Sequence, residues 1–413
     1  MEFDPSTTTT TTTQDSAWAG AGQAQRTVWV EAPARLHLGF LDPAGSLGRP
    51  FGSLGLTVSA PVTRLGITAA SGAVNQVSAG APQVPAEDLQ RAERHLAELQ
   101  RRSGRPQPLA LQLDCTLAPH AGLGSGTQLA LAVGRAFACW HGLEVPTATL
   151  AAWLGRGLRS GVGIAGFDQG GLLLDGGPLP ADPLHPQDTR PAPLLARLPL
   201  PPAWRVLLVG DPLCRGLSGS AERSALAALA PLPQSAAAAI CHETLMRVLP
   251  GAAGAGFAAT AEGLTRIQTI LGEHFGPAQG GDVFVSPAVG RLLRWIGEQA
   301  RRPAAGLATS DLGAGIGQSS WGPTGFALLP SAQRAQQLLD AARAAGVVDP
   351  ALTLRIAEPL NRGARVIEHP PRRADAAAAQ ESSARHGSDE AKVDHWPPPQ
   401  RSHAPARSPQ LGR

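Results

Sequence analysis

The chain has 413 residues, 48 of them Gly and 38 Pro, which is enough length for two domains of ordinary size. Apolar residues make up 43% and charged residues 16%, so part of the chain can bury a sizeable core; 35 basic against 32 acidic residues leave a formal charge of only +3. Aromatics are 4% with no Tyr, which argues against a base-stacking nucleic-acid surface, and the single lysine, Lys392, lies near the C-terminus. A Walker-type lysine loop and a pyridoxal phosphate Schiff base are therefore excluded from the body of the chain.

In chain order, residues 1–25 hold seven consecutive Thr and predict a disordered tail. Thr27–Glu31, Leu54–Val58 and Arg64–Ala69 read as strands, and Ala86–Arg102 as a helix with Leu89, Leu96 and Leu99 on one stripe. Leu109–Leu113 alternates as a strand, and a Gly-rich turn then leads into a buried helix over Leu129–Trp140. Leu172–Leu174 is a short strand. The stretch Pro178–Pro202, with nine prolines, predicts a linker or wrapping loop. Beyond it, Trp204–Val209, Gly325–Leu329 and Ala351–Ala357 read as strands. Helices are expected at Ser220–Leu229, Ala236–Leu249, Ala258–Leu271, Pro287–Arg301 and Ser331–Ala345. Residues from 369 onward predict a second disordered tail.

These elements imply an α+β chain with two domains, 26–195 and 204–368. Cys115, Cys139, Cys214 and Cys241 form no CxxC pair and read as reduced core thiols. No apolar run reaches a membrane span and no signal pattern opens the chain, so a cytoplasmic protein with no membrane or nucleic-acid partner is expected.

The densest chemistry lies in Pro119–Gln128, PHAGLGSGTQ, placed between a strand and a helix. Glycines 122, 124 and 126 let successive N–H groups of Gly122, Leu123, Gly124, Ser125, Gly126 and Thr127 line one concavity at a helix start. That suits a phosphate or diphosphate. His120 adds an imidazole, and the Ser125 and Thr127 hydroxyls are donors or ligands for a cation. Arg35 and His37 form a compact basic pair beside a strand end, and Arg156 and Arg159 precede a Gly-rich run. Gln318, Ser319, Ser320 and Trp321 make a polar cluster with one aromatic face. Asp168, Asp175 and Arg362 are further candidates for metal, ribose or anion contacts, and Gln279–Asp282 is a Gly-rich loop that either closes the site or simply turns.

Taken together, ARLHLGFLD (34–42), GLGSGTQLALAV (122–133), RSGVGIAGFDQGGLLLDGG (159–177), GQSSWGPTGFAL (317–328) and NRGAR (361–365) resemble the GHMP kinase superfamily. Within it they resemble the beta-ribofuranosylaminobenzene 5'-phosphate synthases of tetrahydromethanopterin biosynthesis, over about residues 27–368. The resemblance implies a two-domain GHMP-kinase-like fold and a decarboxylating phosphoribosyltransferase. Such an enzyme joins phosphoribosyl diphosphate to an aromatic carboxylic acid, 4-aminobenzoate or 4-hydroxybenzoate, and releases CO2 and diphosphate. It implies catalytic roles for Arg35, His37 and Asp168, and phosphate binding by residues 122–127, His120 and Arg159. It further implies substrate contacts from Gln318, Ser319, Ser320, Trp321 and Arg362, Mg2+ carried with the diphosphate near Ser125 or Asp168, and a homodimer. The chain departs from the kinases where they carry a catalytic Asp in a GxD element. Here that stretch is Gly163-Ile164-Ala165-Gly166. An ATP-dependent small-molecule kinase and a non-catalytic phosphometabolite-binding protein are the competing readings.

Overall fold

The structure, a computed structural model, describes residues 26–178, 191–217, 219–303 and 308–369. The two expected tails, Lys392 and residues 179–190 of the Pro-rich stretch lie outside the described residues, but His369 belongs to a strand rather than to a tail.

Two strands dominate the first half: β1 (Thr27–Asp42) and β2 (Phe51–Ala69), paired antiparallel along nearly their whole length. They are followed by β3 (Gln76–Ala79), α1 (Ala86–Ser103), β4 (Leu109–Cys115), α2 (Ser125–Trp140), α3 (Thr147–Trp153), α4 (Val162–Asp168) and β5 (Leu172–Asp175). Next come β6 (Leu194–Leu198), β7 (Arg205–Gly210), α5 (Gly219–Ala228), α6 (Gln234–Glu243), α7 (Phe257–Phe275), α8 (Pro287–Ala300), β8 (Gly315–Gln318), β9 (Gly325–Leu329), α9 (Ala332–Ala344), β10 (Thr353–Ala357) and β11 (Arg365–His369).

The first sheet runs β11-β1-β2-β4-β3, with β5 on the N-terminal half of β2 and β6 beside β5. The second runs β10-β7-β9-β8, antiparallel throughout. Leu194–Leu198 is thus a strand inside the expected linker: prolines 191, 193 and 199 flank it and leave its N–H groups free to pair. The last described strand, β11, returns to the first sheet and pairs with β1.

The faces of β1 exchange along its length. Val28, Val30 and Ala32 pack with α1 and α2, whereas Ala34, Leu36 and Leu38 join the core shared with β7, β9 and α7. Between Pro33 and Arg35 the β1–β2 register jumps by three residues, Ala34 alone standing opposite the four residues 58–61 of β2, and this odd jump accompanies the exchange of faces. A third core lies under the second sheet, where Leu292, Leu293 and Ile296 of α8 meet Leu338 of α9. The four cysteines are free but half-buried rather than fully in the core, and burial pushes their thiols up.

Candidate anion-binding and aromatic site

The register jump between β1 and β2 decides which way Arg35 points. After the flip its guanidinium lies under the loop between β4 and α2: the Arg35 backbone N–H donates to Leu123 O (3.2 Å) and its Nη1 to Gly122 O (3.0 Å). Gly122 and Gly124 take φ of +82° and +80°, and His120 takes +59°. Gly124 O accepts from Thr127 and Gln128 N–H, at 3.0 Å each. The Ser125 and Gly126 N–H groups at the first turn of α2 then have no hydrogen-bond partner among the described residues. A nest of free N–H groups at a helix start is what an anion needs.

The polar cluster after β8 locks onto this loop and onto β1. Ser319 Oγ donates to Gly122 O (2.7 Å) and accepts from His37 N–H (2.9 Å), while Ser320 N–H donates to His37 O (3.1 Å). A Cβ at Gly122 would stand 2.2 Å from Ser319 O, and one at Gly322 only 2.3 Å from Gly122 N. Segments 35–37, 120–124 and 319–322 therefore form one interlocked unit, although nearly 300 residues separate the first from the last.

Electrostatics follow from burial. Arg35 is lowered to about 10 by desolvation, partly offset by Glu222. Arg159 Nη2 donates to Glu222 (2.8 Å), and its Nη1 is buried without a partner. His37 is 4% exposed and lowered to about 3, first by burial and then by Arg35 and Arg159, so it is neutral at pH 7. Its ring stands edge-on to Phe40 (centroids 4.5 Å apart), and its Nε2 is buried with no hydrogen bond.

That imidazole lines a pocket with Phe40, Leu271, Phe275, Gln279, Gln318 and Trp321, where Phe275 and Trp321 are tilted together at 4.7 Å. The amides on its wall are spent. Gln268 donates to Leu38 O (2.6 Å) and accepts from Gln318 N–H (2.8 Å); Gln318 accepts from Val285 N–H (2.7 Å) and donates to Ser320 O (3.1 Å). The cavity holds about 40 Å³, room for a water or two.

Not every expected residue arrives here. Asp168 ends α4, whose first turn faces the loop: a Cβ at Gly163 would meet Thr127 at 3.2 Å, whereas Asp168 is hydrogen-bonded to Thr147 Oγ1 on α3. At about 1.5 Å per residue, α4 carries it roughly 9 Å away. It touches neither the loop nor the pocket, contrary to its expected catalytic and metal roles. Asp175 is fully buried and accepts N–H bonds from Ser53, Gly161, Val162 and Gly177, so its carboxylate fastens α4 to the sheet. Arg362 lies in the loop packed on the turn at Gly170, against the far end of α4, and is likewise not brought to the anion site. Of 279–282, Gln279 lines the pocket, while Asp282 pairs with Arg294 (2.8 Å) on the surface. Glu222, Gln268 and Phe275 are absent from the sequence expectation, since nothing in their local sequence separates them from ordinary helix or core residues, and Phe40, though inside the 34–42 motif, was given no role there.

The GHMP kinases N terminal domain model matches residues 90–174 and the GHMP kinases C terminal model residues 287–348. A beta-ribofuranosylphenol 5'-phosphate synthase of Archaeoglobus fulgidus is 35% identical over 246 residues, 58% of this chain and 75% of that protein. One of Methanothermobacter thermautotrophicus is 29% identical over 249 residues, 58% and 74% respectively. Among solved structures, Staphylococcus aureus mevalonate diphosphate decarboxylase aligns with a TM-score of 0.57 at 14% identity, covering 83% of this chain and 98% of that one. Streptococcus pneumoniae phosphomevalonate kinase aligns with a TM-score of 0.55 at 15% identity, covering 81% and 100%. At these identities the structures speak for the fold alone.

Proposed function

The chain belongs to the beta-ribofuranosylphenol 5'-phosphate synthase family, within the GHMP kinase superfamily, and from that we propose that it is a decarboxylating phosphoribosyltransferase. Its donor is phosphoribosyl diphosphate, and its acceptor is 4-hydroxybenzoate or 4-aminobenzoate, as in tetrahydromethanopterin biosynthesis. The C1–O bond to diphosphate breaks as the ring carbon bearing the carboxylate attacks C1. The electrons of the ring–carboxylate bond then restore aromaticity as CO2 departs.

The observation that carries this reading is the pairing of the two half-sites. Arg35 holds the phosphate loop, two residues from His37 on the pocket wall, and Ser319 fastens loop and pocket together. An anion nest beside an aromatic-lined pocket suits a sugar diphosphate facing a benzoate ring. Arg35 and Arg159 neutralise the leaving group, with Arg159 exchanging Glu222 for diphosphate oxygens. His37, flanked by two guanidinium groups and neutral, makes a poor general acid; its free Nε2 orients the ring by a hydrogen bond to a polar substituent. The ring enters only as the 275–283 segment moves outward, because the pocket is closed to about 40 Å³.

Among the described residues no cluster of three acidic, His or Cys side chains could hold a metal. The hydroxyls of Ser125 and Thr127 fit a Mg2+ carried by diphosphate oxygens rather than one held by a protein cage. Bound there, the ion would neutralise the departing diphosphate. The kinase alternative finds little support: the described residues contain no lysine, and neither Asp168 nor Asp175 reaches the loop.

Carboxyl-labelled 4-hydroxybenzoate and 4-aminobenzoate, each with phosphoribosyl diphosphate and Mg2+, test the proposal. Labelled CO2 is expected from at least one of them. Phosphoryl transfer from ATP without CO2 release would establish the kinase reading instead, and diphosphate binding without turnover the non-catalytic one.

A further inference from the structure

Beside the first turn of α2, on the side of Gly126, sits a second cationic cluster that the mechanism above does not use. Arg91 and His95 come from α1, and Arg156 from the turn after α3. A Cβ at Gly126 would stand 3.3 Å from Arg156 Nη1 and 3.8 Å from Arg91 Nη1. Both guanidinium groups are anchored through Nη2: Arg91 on Asp88, which is 1% exposed, and Arg156 against His95 Nε2 at 3.5 Å. Neither Nη1 makes a hydrogen bond among the described residues, and the Nε of each is buried with no hydrogen-bond partner. Glu87, 3.9 Å from Arg91, is the other acid at the cluster, and Arg156 has no acidic partner among the described residues.

Two half-buried guanidinium groups, each with a buried unpaired Nε and a free Nη1 turned toward one glycine at a helix start, leave an unmet demand for an anion. Phosphoribosyl diphosphate has a second anion to place, a phosphate monoester at the opposite end of the ribose from the leaving group. The Gly122–Gly124 side of the loop, with Arg35 and Arg159, adjoins the aromatic pocket and so belongs to the diphosphate at C1. We propose that Arg91 and Arg156 form the subsite for the 5'-phosphate, so that the donor spans the first turn of α2. This rests on the synthase reading for the identity of the donor; the recognised group itself is a sugar phosphate monoester.

His95 gives the subsite a reporter. Burial, then Arg156, Arg91 and Arg94, lower it to about 4, and a dianion lodged between those guanidinium groups reverses their repulsion.

Ribose 5-phosphate and inorganic diphosphate, titrated separately by calorimetry, decide the assignment. Arg156→Gln and Arg91→Gln are each expected to weaken ribose 5-phosphate about tenfold, the loss of one charge-assisted contact, while diphosphate affinity changes less than about threefold. In turnover the same variants raise KM for phosphoribosyl diphosphate more than they lower kcat. In the unaltered protein, saturating ribose 5-phosphate raises the His95 titration midpoint by NMR, a readout that does not depend on either variant folding. Equal weakening of both ligands, loss of diphosphate alone, or a His95 midpoint that ignores ribose 5-phosphate would each overturn the subsite. CO2 release does not enter these binding measurements, so failure of the synthase reading and failure of the subsite are told apart.

Discussion

His37 shows how burial turns an ionisable side chain into a fixed neutral one. With its folded pKa held near 3 against about 6.5 when unfolded, the unfolded chain binds the extra proton between those values. Stability conferred by the neutral ring is full above pH 6.5 and is lost as pH falls toward 3, with a slope of up to about 1.4 kcal/mol per pH unit. His37→Gln is expected to remove that slope from urea midpoints measured between pH 4 and 6. An unchanged slope would mean the ring is not buried as described. Gly122 makes the opposite case, where no side chain is tolerated: Gly122→Ala sets a Cβ against Ser319 O at positive φ. Calorimetric titration of that variant should show diphosphate binding abolished. Asp168→Asn should leave the CO2 release rate within about twofold, because its carboxylate serves Thr147 on α3 rather than the reacting groups.

Among the elements, β1, α7 and β8 meet through one amide. Gln268 on α7 donates to Leu38 O and accepts from Gln318 N–H, and thereby joins the two sheets at the pocket wall. Gln268→Met keeps the volume but leaves two buried backbone groups unpaired, at about 1–3 kcal/mol each. A loss of about 2–5 kcal/mol in urea unfolding is expected, and a loss below 1 kcal/mol would show that water replaces the amide. The helices α1, α8 and α9 were legible in the sequence because they are long and amphipathic with no internal break. α3, α4, β3, β6, β8 and β11 were not, being four to seven residues long. The equally short β5, β9 and β10 were read from apolar or alternating runs, but these six are interrupted or flanked by Gly, Pro or polar residues, and tertiary packing defines them.

At the scale of the whole molecule, β11 covers the edge of β1, the strand that carries Arg35 and His37. A chain ending at Ala364 uncovers that edge and forfeits the Arg26–Glu368 ion pair (3.0 Å). It should therefore unfold at lower urea than one ending at His369, with equal midpoints counting against a structural role for β11. Two kinds of information meet here. By itself the sequence determined the chemistry available: a glycine-rich anion loop, arginine in place of lysine, no GxD carboxylate, and a Gln-Ser-Ser-Trp cluster, each written in contiguous residues. Only the tertiary structure decided which of these act together. The register jump that turns Arg35 under the loop, the lock of Ser319 on Gly122, the arrival of Glu222 at Arg159 and the removal of Asp168 and Arg362 to the far end of α4 all depend on register and packing between distant segments. Local sequence does not encode an odd-numbered register jump in a strand pair, and the three-residue jump after Pro33 is what brings the arginine to the phosphate loop.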